Sequence, residues 1–87
     1  MRRLFQRKPR CTYCHRVLEH PSSRSRVAAT RDHVVPKHRG GTHTVPCCRQ
    51  CNQLKRDMMP GEWKAFMERH PKWWKLFPHI GKLGGAA

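Results

Sequence analysis

The chain has 87 residues, and 19 lysines and arginines against 5 acidic residues give it a formal charge of +14. A domain this short buries only about 60–65% of the surface its unfolded chain exposes, so a metal or disulfide staple is expected. No stretch approaches the roughly 20 apolar residues of a membrane span, which argues against a membrane-spanning protein.

Residues 1–10 read as a basic arm, with Arg2, Arg3, Arg7, Lys8 and Arg10 able to lie along phosphates. No apolar run follows these charges, so no secretory leader is expected. The five cysteines, an odd number, then fit a cytoplasmic metal site better than disulfides. Cys11-Thr12-Tyr13-Cys14 forms a first knuckle, and residues 21–26 form a polar loop without apolar periodicity. From Val27 to Val35 the pattern becomes apolar and β-branched, as in one strand of a hairpin. Pro36 helps to end that strand, Gly40-Gly41 supplies a turn, and Thr42–Val45 reads as the return strand. A helix is expected from the second knuckle, Cys48-Arg49-Gln50-Cys51, through Asn52, Leu54, Lys55 and Met58, until Pro60-Gly61 breaks it. Trp63, Phe66 and Met67 then recur at helical spacing within Glu62–Arg69. Pro71 fits the first turn of a short helix carrying Trp73, Trp74, Leu76 and Phe77. These aromatics are expected to supply most of a scarce core, and residues 84–87 to fray. The chain thus divides into an arm (1–10), a core (11–59), a helical extension (60–80) and a flexible tail (81–87).

The two Cys-x-x-Cys pairs carry the firmest chemical reading. Zinc favours tetrahedral thiolate sulfur, and a two-residue gap lets both thiolates of a knuckle reach one ion. Cys11, Cys14, Cys48 and Cys51 are therefore expected to hold a structural zinc, a closed site with no position open for catalysis. Cys47 is left over, either as a small buried residue beside the knuckle or as a substitute for Cys48. Between the knuckles lies Arg31-Asp32-His33-Val34-Val35-Pro36. An imidazole near pKa 6.5 can take a proton from water, and a carboxylate is a hard ligand for a divalent cation. Neighbours on a strand point to opposite faces, but at a strand's end both can converge on one phosphate. His15, His20, His38, His70 and His79 have no spacing argument. The charge points to nucleic acid as partner, since neutralising phosphates releases counterions. An acidic membrane fits less well, because no amphipathic basic helix carries the charge.

Asp32-His33-Val34-Val35-Pro36, then Gly40-Gly41, then Cys48-Arg49-Gln50-Cys51-Asn52-Gln53-Leu54-Lys55 resembles the HNH endonuclease family, especially the zinc-stabilised ββα-metal members common in bacteriophage genomes. The match runs from about Cys11 to Asp57. It implies a small α+β, zinc-stapled fold: a ββα-metal hairpin-plus-helix core, here followed by short C-terminal helices. It implies that His33 is the general base, and that Asp32 and Asn52 hold one divalent cation, Mg²⁺, Mn²⁺ or another, against the scissile phosphate. Where the family has an Asn that braces the loop, this chain has His43, which is expected to brace by donating to a backbone carbonyl. Arg31, Arg39, Lys55 and Arg56 are the candidate DNA contacts. The resemblance further implies a cytoplasmic protein of a bacterium or phage-infected host, a monomer, working with a larger packaging or recombination protein. The competing reading is a non-catalytic zinc-knuckle module that binds nucleic acid, which would need neither a base nor two oxygen ligands. Thiol redox chemistry fits worse, because paired knuckles on a basic surface suit a metal.

Overall fold

The computed structural model describes residues 8–82, an antiparallel hairpin followed by three helices. The expected basic arm at Arg2, Arg3 and Arg7 and the fraying end at 84–87 lie outside the described residues. The hairpin joins β1 (Ala29–His33) to β2 (Thr44–Cys48), and α1 (Arg49–Lys55), α2 (Pro60–Arg69) and α3 (Trp73–Leu76) follow. This is a small α+β architecture.

Both strands are shifted from their expected bounds, for reasons of hydrogen bonding. Val27 and Ala28 leave the hairpin to pair with Glu19, whose N–H donates to Val27 O and whose carbonyl accepts from Ala29 N. Val34 and Val35 bend into the turn, which closes through a 3₁₀ segment at Lys37–Arg39. Gly40 ends that segment with φ of 90°, and Gly41 passes so close to Val35 that a Cβ would lie 1.7 Å from its carbonyl oxygen. The return strand therefore begins later than expected and runs into the second knuckle. Its register sets Ala29 opposite Cys48, Arg31 opposite Pro46 and His33 opposite Thr44. Pro46 has no N–H to give, and its carbonyl accepts from Thr12 N at 3.0 Å, which ties the first knuckle to β2.

The helices also depart from expectation at their ends. Arg56, with φ of 51°, stops α1 before Met58. Pro60 opens α2 instead of breaking a helix, since Pro is tolerated at the first helical position. Glu62 Oε1 accepts from Met59 N at 2.8 Å and satisfies one free donor at that terminus.

The core is sulfur and aromatic carbon: Cys11, Cys14, Cys47, Cys48, Cys51, Leu18, Trp63 and Trp73 are buried together. Trp63 packs edge-on against Tyr13 at 5.4 Å and Trp73 at 5.9 Å, and stacks on Phe66. The expectation of an aromatic core holds for Trp63 and Trp73, whereas Leu76 is 55% exposed. The C-terminal helices are fastened to α1 by Gln50, whose Nε2 donates to Trp74 O at 2.9 Å and Phe77 O at 2.7 Å.

A four-sulfur cluster beside a strand–helix junction

Cys11, Cys14, Cys48 and Cys51 are all buried, with their sulfurs within 4.8 Å of one another. A tetrahedral zinc with bonds of about 2.3 Å holds its sulfurs about 3.8 Å apart. Cys14 Sγ and Cys48 Sγ are 3.8 Å apart, so the four residues can hold zinc.

The surroundings are built for negative sulfur. Cys11 Sγ accepts from the N–H groups of Tyr13 and Cys14, and Cys48 Sγ from Cys51 N. Arg16 donates through Nε to Cys14 Sγ at 3.1 Å and through Nη2 to Cys48 Sγ at 3.5 Å. Trp73 Nε1 donates to Cys51 Sγ at 3.1 Å. Every sulfur of the four thus receives an N–H bond. Hydrogen bonds from Cys14, and then Cys47, Cys48 and Cys51, pull the Cys11 thiol well below its ordinary value. The bond to Cys11 pushes Cys51 in the opposite direction. Four thiolates this close repel one another, and a dication removes the conflict. Cys47 stands outside the set: it is fully buried, and its thiol donates to Cys48 O at 3.2 Å. The bond to Cys11 and burial push it up, so it stays a thiol.

The candidate chemical residues lie where α1 meets β1. Asn52 and Lys55, one helical turn apart on α1, reach across to β1. Asn52 Nδ2 donates to Thr30 Oγ1 at 3.0 Å and to Arg31 O at 3.3 Å. A carbonyl can only accept, so this contact fixes the orientation of the amide and leaves Asn52 Oδ1 turned away from the strand. Asp32 is 4% exposed. Its Oδ2 accepts from Tyr13 Oη at 2.7 Å and pairs with Lys55 Nζ at 3.2 Å. Oδ1 of Asp32 carries no hydrogen bond among the described residues. Strand alternation puts Thr30 and Asp32 on one face of β1, toward Asn52, Lys55 and Tyr13. His33 falls on the other face with Arg31, half-buried, its ring without a hydrogen bond among the described residues. Asn52 and Asp32 thus lie on the same side of β1, held by Thr30 and Arg31 and by Lys55 and Tyr13 respectively, while the ring of His33 is on the other side.

Two expectations need correction. Lys55 is not a surface residue available to DNA: it is 1% exposed, and its ammonium also donates to His33 O at 3.1 Å and Val34 O at 3.3 Å. The imidazole of His43 makes no brace. The ring is exposed and unbonded among the described residues, and the loop is held through the main chain by Val34 N donating to His43 O at 3.0 Å. Arg39 and Arg56 are exposed, as is Arg31, whose Nε donates to Thr44 Oγ1 at 3.0 Å across the hairpin. Sequence reasoning missed the contacts that Tyr13, Arg16 and Trp73 make at this site.

Comparison with protein-family models, curated proteins and solved structures gives no match for this chain.

Proposed function

We propose that this chain is a metal-dependent endonuclease of the HNH type that hydrolyses DNA phosphodiester bonds. The observation that carries the reading is a pair of oxygens without a hydrogen bond among the described residues, Asp32 Oδ1 and Asn52 Oδ1, offered by a hairpin and the helix that follows it. The four sulfurs, as a structural zinc site, would clamp the roots of that junction. A divalent cation bound by the two oxygens would polarise the phosphate and stabilise the leaving 3′ oxygen.

The chain's own residues divide the remaining work. His33, with no hydrogen bond on its ring nitrogens among the described residues, would accept a proton from water, help typically worth about 10²–10⁴-fold. Adjacent Cα atoms are about 3.8 Å apart, so a phosphate at the strand's end can meet the imidazole from one face and the two oxygens from the other. Arg31, Arg39 and Arg56 are exposed and suited to backbone oxygens, and the charge of +14 supplies sequence-independent attraction.

The test is supercoiled plasmid with Mg²⁺ or Mn²⁺. The parent yields relaxed or linear DNA, and His33→Ala is at least about 100-fold slower with unchanged zinc content. Equal cleavage by the two would remove His33 from the reaction.

A second reading, a zinc-knuckle module that binds nucleic acid without cutting it, is favoured by the ion pair of Asp32 with Lys55. A carboxylate already neutralised attracts a cation less. Tight DNA binding by the parent without cleavage in any divalent metal would select it.

A further inference from the structure

The ammonium of Lys55 donates to His33 O and Val34 O and pairs with Asp32 Oδ2 at 3.2 Å. The phenol of Tyr13 donates to the same Asp32 Oδ2 at 2.7 Å. A hydroxyl donor from the first knuckle and an ammonium from α1 therefore converge on one oxygen of a carboxylate whose other oxygen is unbonded among the described residues.

A carboxylate without such anchors turns about its terminal bond and exchanges its oxygens. We infer that Tyr13 and Lys55 are positioning residues for the cation site: by engaging Oδ2 together they hold Asp32 in one orientation, so that Oδ1 alone is presented, as a monodentate ligand on the side of β1 that Asn52 faces. The inference rests on Asp32 acting as a cation ligand, as proposed above. Lys55 has a second effect through the same ammonium. By fixing the carbonyls of His33 and Val34 it sets the backbone from which the imidazole projects. Outer groups that orient a metal ligand typically contribute about 10–100-fold in affinity.

Tyr13→Phe is the discriminating variant. It removes one hydroxyl and keeps the ring that packs edge-on against Trp63 at 5.4 Å. Lys55→Met strips a buried carboxylate of its counter-charge, so its failure to fold would be uninformative about positioning. Mn²⁺ binding is read by electron paramagnetic resonance on the zinc-loaded full chain, and cleavage is titrated with Mn²⁺ in parallel. The expected result for Tyr13→Phe is a Mn²⁺ dissociation constant about tenfold weaker. Turnover at saturating Mn²⁺ stays within about twofold, and zinc content and melting temperature are unchanged. Affinity within about twofold of the parent overturns the inference, as does a turnover loss that saturating Mn²⁺ does not rescue. If the parent binds Mn²⁺ in a Tyr13-dependent way yet cuts no DNA, the positioning stands and the nuclease reading falls. If the parent binds no Mn²⁺, both fall.

Discussion

At the scale of single residues, Lys55 sets the electrostatics of the junction. Lys55 and Asp32 are 1% and 4% exposed, so both charges are largely withdrawn from water and each depends on the other. Removing one partner of a buried pair typically costs about 3–5 kcal/mol, because the other charge is left uncompensated. Lys55→Met is therefore expected to lower unfolding free energy by about that amount in denaturant titration. Adding Asp32→Asn to it should recover part of the loss, the coupling a double-mutant cycle isolates. Strictly additive losses would show that the pair does not interact. The cysteine ligands were legible in the sequence because their chemistry lies in spacing alone, two residues between thiols. The role of Lys55 was not, because burial of its ammonium depends on the carbonyls of His33 and Val34, more than 20 residues away. The same holds for Tyr13, whose acceptor is 19 residues distant.

At the scale of elements, the turn between β1 and β2 decides where the return strand begins. Gly40 and Gly41 are adjacent but constrained differently. Gly40 needs a positive φ, and a Cβ there would meet open space. A non-glycine residue in that region costs about 1–2 kcal/mol. Gly41 has no room, since its Cβ would overlap backbone at 1.7 Å and 2.6 Å from Val35 O and C. Gly41→Ala must therefore displace the turn that follows His33, and it should destabilise the protein by more than Gly40→Ala, about 2–3 kcal/mol by thermal or chemical melting. The reverse order would mean that the turn yields without cost. The order of elements was readable from Pro, Gly and apolar spacing, whereas their ends were not. Val27 and Val35 carry strong strand propensity, but Glu19 takes the main-chain bond at Val27, and Val35 lies past the ladder, just before the turn that Gly41 N closes on Pro36 O. Pro60 shows a parallel ambiguity, as the same residue can end one helix or begin the next, and Arg56 had already stopped α1.

For the whole molecule, the sulfur cluster is the centre from which the parts hang. The first knuckle, the end of β2, the start of α1 and, through Trp73, α3 all contact it. Structural zinc in small peptides contributes an apparent binding energy of about 10–16 kcal/mol, as large as the net stability of a typical domain, about 5–15 kcal/mol. With a net charge of +14 opposing compaction, little would remain without the metal. Cys14→Ser and Cys51→Ser, or treatment with a strong chelator, are expected to abolish the native circular-dichroism spectrum, and its survival would show that the aromatic core suffices.

The chain contains three tryptophans, and they form one run: Trp63 lies 5.9 Å from Trp73, Trp73 lies 4.8 Å from Trp74, and Trp73 donates to a cysteine sulfur. Sulfur quenches an excited indole, and rings this close pass excitation among themselves. Loading a metal onto the four sulfurs is therefore expected to change indole emission, which can be read without any added label.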